Sequence, residues 1–159
     1  MPTAATIAEQ AVQLFQITRE QTIDAPIEIV FQATLDQLGP ECQLPDGTPM
    51  PFKIELWPGG HWFRDLGNNA GHLWGHVQVI KPPKLLELCG PLAMSYAAIN
   101  HLQYRLTPEG GGTRLTFTHQ ALGLIPPEHR DRMSEGWKHW LKRIDDLAKR
   151  RHRASQSER

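Results

Sequence analysis

At 159 residues the chain is long enough for one domain with a core of its own, needing neither disulfides nor a structural metal to close it. Apolar residues make up 40% and charged residues 21%, the balance of a globular protein rather than a disordered or membrane-embedded one. Seventeen basic and seventeen acidic side chains cancel, so no global field draws the chain toward nucleic acid or an anionic membrane.

Residues 1–16, "MPTAATIAEQAVQLFQ", lack a charged start followed by a continuous apolar stretch, so they read as an N-terminal arm and not as a signal peptide. "ITREQTIDA" then alternates Ile17, Arg19, Gln21 and Ile23 against polar neighbours, which predicts a strand ending before Pro26. "PIEIVFQATL" begins on a proline, tolerated in a first helical turn, and spaces Ile27, Val30, Phe31 and Thr34 as a short helix. Residues 36–51, rich in proline and glycine, are expected to be loop. Strands are expected near 52–57, 61–66, 72–80, 84–89, 98–107 and 113–121, and the short breaks between them imply antiparallel hairpins. After Pro126–Pro127, Met133, Trp137, Trp140, Leu141, Ile144 and Leu147 recur at three- and four-residue steps, the stripe of a long amphipathic helix. Residues 17–150 thus form the single domain, and the basic stretch from Lys149 to Arg153 leads into a flexible, solvated tail at 151–159.

A sheet with one apolar face must bury it, and only the last helix carries a stripe large enough to do so. The expected fold is α+β, a curved antiparallel sheet wrapped around a long C-terminal helix. Cys42 and Cys89 have no CxxC spacing, and no run reaches the ~18 apolar residues of a membrane span, so a soluble protein of the reducing cytoplasm is expected, without membrane insertion.

The order of elements resembles the START-like, or SRPBCC, superfamily with its helix-grip fold. The details are similar to the branch named for the activator of the heat-shock-protein-90 ATPase. "TIDAPIEIVFQAT" resembles the family's strand-to-helix opening through Ala25, Pro26, Val30 and Phe31. "PGGHWF" resembles its Gly59–Gly60 hairpin, and "GHVQVIKPPKLL" its strand ending at Pro82–Pro83. "PEGGGTRLTFTH" is similar to its last hairpin, and "EGWKHWLKRI" to the Gly136–Trp137 start of its final helix. The matches run in family order over roughly residues 17 to 148. The resemblance implies a cavity between sheet and last helix in which members bind lipids, sterols or polyketides. Some members are cyclases, and others are protein-binding modules of the stress response. The fold alone does not choose among these.

The densest cluster of reactive side chains is "ELWPGGHWFRDLGNNAGHLWGHV", residues 55–77. With Asn68–Asn69 as a two-residue turn, Asp65 faces His72, Phe63 faces Trp74, His61 faces His76 and Trp62 faces Gly75. A three-residue loop would pair Arg64 with Trp74 instead; asparagine's tolerance of positive φ favours the first register. In it the histidines share an outer face with Phe63 and Trp74, and that aromatic pair marks a surface for a homodimer or partner. His72 and His76 stand about 13 Å apart along one strand, too far to share a metal, so no metal site is expected.

On the other hairpin, pairing Leu106 with Leu115 sets Tyr104 opposite Phe117 and Leu102 opposite His119. Trp62, Tyr104, Phe117, Met133 and Trp137, with Phe31 from the first helix, are the expected cavity walls. Arg64 and His119 are the expected polar anchors for a ligand head. No nucleophile motif or phosphate loop is present, and no cofactor is called for. The primary expectation is therefore binding of a small hydrophobic or amphipathic molecule between sheet and helix. The alternatives are a co-chaperone-like interaction module and a cyclase- or hydrolase-type enzyme using His119 as general base.

Overall fold

Period-two alternation of apolar and polar side chains builds seven strands, and two amphipathic stretches build the helices that cover them. In chain order these are β1 (Gln13–Ile23), α1 (Ile27–Gln37), β2 (Lys53–Ile54), β3 (His61–Gly67), β4 (Ala70–Lys81), β5 (Leu85–Gly90), β6 (Ala98–Glu109), β7 (Gly112–Gly123) and α2 (Pro127–Ser157). The computed structural model describes every residue except Pro2. All strands join one antiparallel sheet in the order β1-β7-β6-β5-β4-β3-β2, which curves around α2. This is the expected α+β helix-grip architecture.

Three boundaries differ from expectation. β1 begins at Gln13, inside the stretch read as an arm, because Phe15 faces the core side and extends the pairing with β7. β2 is only two residues long; beyond it Leu56 and Trp57 are exposed before the Pro58–Gly60 turn. α2 runs to Ser157, so most of the expected tail is helical. No glycine or proline follows Gly136 to stop the helix, and Arg151 ties its late turns to Asp36 of α1 at 2.6 Å.

The core lies between the concave face of the sheet and the helices. Leu102, Leu115 and Phe117 are wholly buried there, each contributing about 1.5–3 kcal/mol of transfer free energy. From α2, Trp137, Trp140, Leu141, Ile144 and Leu147 point into the same core. β1 holds the helix with polar groups as well. Gln21 donates to the Leu141 carbonyl at 2.8 Å and Arg19 to the Ser134 carbonyl at 2.9 Å. Among the described residues, no helix is long and apolar enough to cross a membrane.

Candidate functional site

The β3–β4 hairpin decides what faces α2. Its turn is Asn68–Asn69, with φ of 53° and 61°, the left-handed pair that a two-residue hairpin requires. The ladder then slips twice. Leu66 is skipped on β3 and Trp74 on β4, so Phe63 meets Leu73, Arg64 meets His72 and Asp65 meets Gly71. Only beyond the second slip do His61–His76 and Trp62–Gly75 pair as expected. The expected Phe63–Trp74 and Asp65–His72 pairs do not form; Asp65 pairs with Lys53 instead, at 2.7 Å. A bulge re-aims a side chain, and here it turns Trp74 inward. The Trp74 ring packs against Trp62 at 5.4 Å and lies parallel to Trp140 of α2 at 5.9 Å. The expected homodimer patch of Phe63 and Trp74 is therefore absent, since the two rings lie on opposite faces of the sheet.

A second feature joins β7 to the β5–β6 connection, residues 91–97. His119 is fully buried. The Trp137 indole N–H donates to His119 Nδ1 at 3.0 Å, and His119 Nε2–H donates to Asn100 Oδ1 at 2.7 Å. Because an indole only donates, Nδ1 carries no proton and the ring is the neutral Nε2–H tautomer. Burial pushes the imidazole pKa down to about 4. Asn100 in turn donates to the carbonyls of Gly90 and Pro91 at 3.1 and 3.4 Å. One hydrogen-bonded chain thus ties α2 to the connection through the sheet.

Those same two elements, with β4, enclose an open cleft of about 280 Å³. Trp74 comes from β4; Leu92, Ala93, Met94 and Tyr96 from the connection; His129, Arg132, Met133, Gly136, Trp137 and Trp140 from the first half of α2. Leu92 takes a φ of 55° and its N–H donates to the Trp74 carbonyl at 2.9 Å, which fixes the connection against the bulge. The Trp137 and Trp140 rings stand perpendicular, 5.3 Å apart. At the polar end Tyr96 Oη and His129 Nδ1 are 2.6 Å apart, and the Tyr96 pKa is raised by partial burial and by Glu128. A Cβ at Gly136 would meet nothing within 4 Å, so the cleft is open where this helix lacks a side chain.

Of the residues expected to hold a ligand, Met133 and Trp137 line this cleft. Phe31, Trp62, Tyr104, Phe117 and His119 are buried in close-packed core and do not line it. Trp62 fills its site by donating to the Leu38 carbonyl at 2.7 Å, and the Tyr104 and Phe117 rings pack against each other at 5.0 Å. His119 is bonded to Trp137 on one side and to Asn100 on the other, and so positions α2 against the connection. With both ring nitrogens engaged, it can take a proton at Nδ1 only by surrendering the indole. Arg64 lies beyond the cleft, its guanidinium 5.6 Å from the centre of the Phe52 ring, with Nε buried and unpartnered among the described residues. Its head borders a wider, mixed-polarity groove of about 800 Å³ along the β3–β4 hairpin.

The histidines of the hairpin separate. His61 and His76 stay together on the outer face, rings 5.0 Å apart, with Glu55 bonded to His61. His72 turns to the other face beside Trp74. Among the described residues no three His, Cys, Asp or Glu side chains gather as metal ligands. Burial of Cys42 holds its thiol pKa up at about 11, and Cys89 is likewise a free thiol.

Sequence reasoning missed Trp74, Tyr96, His129, Arg132 and Gly136. The legible signal was on α2, where Arg132, Gly136 and Trp140 succeed one another at four-residue steps around a missing side chain.

In fold, the chain is similar to an uncharacterized protein from Rhizobium leguminosarum, with a TM-score of 0.70, 19% identity, and 90% of this chain and 99% of that one covered. It is similar to the Mll3558 protein from Rhizobium loti, with a TM-score of 0.69, 23% identity, and coverage of 87% and 99%. CalU16 from Micromonospora echinospora aligns with a TM-score of 0.58, 22% identity and 87% of each chain. No curated protein matches the chain in sequence. The pattern of the family described as "Activator of Hsp90 ATPase homolog 1-like protein" matches residues 24–149.

Proposed function

The chain belongs to the activator of Hsp90 ATPase homolog 1-like family, and from that premise we propose that it binds a small hydrophobic or amphipathic molecule in the cleft between β4, the 91–97 connection and α2. The observation that carries this reading is the cleft's lining. Three indoles converge on it from two elements, two methionines fill between them, and polar groups gather at one end. Largely apolar walls with few polar groups are the usual make-up of a small-molecule site. A volume of about 280 Å³ sits at the low end of the range for such sites, which favours a compact ligand over a sterol or a lipid with long chains. The His119–Asn100 chain supports the reading from behind, since it holds both walls in place before anything binds.

The test uses Gly136→Leu, which fills the cleft from a helical position with free space around it. The uncharged aryl dye phenylnaphthylamine should brighten on binding the wild type and stay dark with the variant. Both proteins should give the same circular dichroism. Equal dye response in both would remove the cleft as the site. Native mass spectrometry of freshly purified protein, looking for a co-purifying small molecule, gives the ligand's mass directly.

A co-chaperone-like role, which the family's name carries, draws no support from the Phe63–Trp74 pair, whose rings diverge. An enzymatic role for His119 meets a base already engaged at both nitrogens.

A further inference from the structure

Resting on the cleft reading above, we propose that the occupant is a small aryl acid, a flat fused-ring body carrying a carboxylate, and that Arg132 reads the acid group. The body follows from the walls. Trp140 is parallel to Trp74 and perpendicular to Trp137, with interplanar angles of 11° and 89°. A flat ring seated against this corner would extend the stacked and edge-on contacts that the three indoles already make with one another, the two geometries that aromatic pairs prefer. An aliphatic chain uses neither.

The head follows from charge. The polar side chains of the lining are Tyr96, His129 and Arg132, and no carboxylate lines the cleft. Arg132 forms no ion pair among the described residues, whereas its neighbour Arg130 is engaged with Asp131. A guanidinium presents a planar fork that matches a carboxylate. Glu128, one turn earlier on α2, lies beside Tyr96 and raises its pKa. Glu128 itself does not line the cleft, and of the three polar groups at this end Arg132 alone is always charged, so the head belongs at Arg132.

The spacing follows from the helix. Arg132, Gly136 and Trp140 form one ridge, and eight residues advance about 12 Å along the axis. Gly136, in the middle, leaves the path between guanidinium and indole clear.

The test is calorimetric titration of the full chain with naphthoate and with naphthalenemethanol, its uncharged counterpart of similar shape. The wild type should bind the acid at least about tenfold more tightly, the scale of one charge-assisted hydrogen bond. Arg132→Gln should abolish that preference and leave the alcohol's affinity within about twofold, while Arg132→Lys should keep part of it. Equal binding of acid and alcohol by the wild type, or an undiminished preference in Arg132→Gln, overturns the acid reading and leaves the cleft reading standing. If neither probe binds the wild type, and the dye responds equally to wild type and Gly136→Leu, both readings fall. Circular dichroism at matched concentration confirms that each variant is folded.

Discussion

The β3–β4 and β6–β7 hairpins both close on two residues in the left-handed region, Asn68–Asn69 in one and Gly110–Gly111 in the other. From like turns they diverge. β6 and β7 pair without a break from Glu109–Gly112 to Ala98–Gly123, so every second side chain reaches the core. β3 and β4 slip twice within a few residues. The unbroken hairpin makes a solid wall of Leu102, Tyr104, Leu106, Leu115, Phe117 and His119. The slipped one gives up ladder regularity and gains Trp74 on the concave side, where it borders a cleft. Regular pairing fills space in this molecule, and irregular pairing opens it.

The comparison breaks most severely at Phe117. Phe117→Ala should cost about 3–5 kcal/mol in urea unfolding, because close-packed walls cannot collapse into the void. A loss below that of a surface substitution would mean that the wall is not solid.

His119 sharpens the contrast through pH. Its pKa is near 6.5 when unfolded and about 4 when folded, so between these values the unfolded chain binds the extra proton. Stability from this group is complete above pH 6.5, declines as the pH falls toward 4, and levels off below. The contribution lost is about 3 kcal/mol. The urea midpoint should fall less between neutral and acid pH in His119→Leu than in the wild type; equal falls would contradict the assignment.

On the slipped side, Gly75 is the vulnerable point. A Cβ there would lie 2.5 Å from the Cys89 carbonyl oxygen, which is backbone and cannot swing away. Gly75→Ala should cost about 1–3 kcal/mol. It should also diminish the near-ultraviolet circular dichroism of the stacked Trp74–Trp140 pair. Retention of that signal would show that the bulge survives a side chain. The smallest effect belongs to the turns. Asn68→Ala and Gly110→Ala place an ordinary residue at φ of 53° and 56°, at about 1 kcal/mol each, with the glycine replacement the costlier. Thermal unfolding of the pair tests whether the two turns are equivalent.

Much of this architecture was legible in the sequence. Ile17 through Ile23 alternate, Met133 through Leu147 recur at helical steps, and both read correctly because each periodicity has one apolar face. The Tyr104–Phe117 and Leu102–His119 pairings were readable for the same reason, with a glycine turn to set the register. The slips were not. Two bulges on opposite strands compensate, so the ends of the β3–β4 hairpin keep the expected register while its middle shifts. β1 was read short because exposed Leu14 and inward Phe15 blur the alternation at its start. The cleft was hidden for a different reason. Residues 91–97 have no period at all, and Leu92, Met94 and Tyr96 are placed by hydrogen bonds with Trp74, Asn100 and His129 respectively, which lie elsewhere in the chain.

Gly136 has a consequence on another timescale. The cleft exists where one side chain is absent from a helix that is otherwise well covered, and a larger residue would fit there without disturbing the backbone. Alanine at this site would even favour the helix, by about 1 kcal/mol. Every glycine codon is a single base from alanine and valine, so ordinary mutation offers both repeatedly, and selection for stability alone would accept alanine. The opening therefore stands one nucleotide from being narrowed. Its persistence among descendants of this gene would measure how strongly selection holds it open.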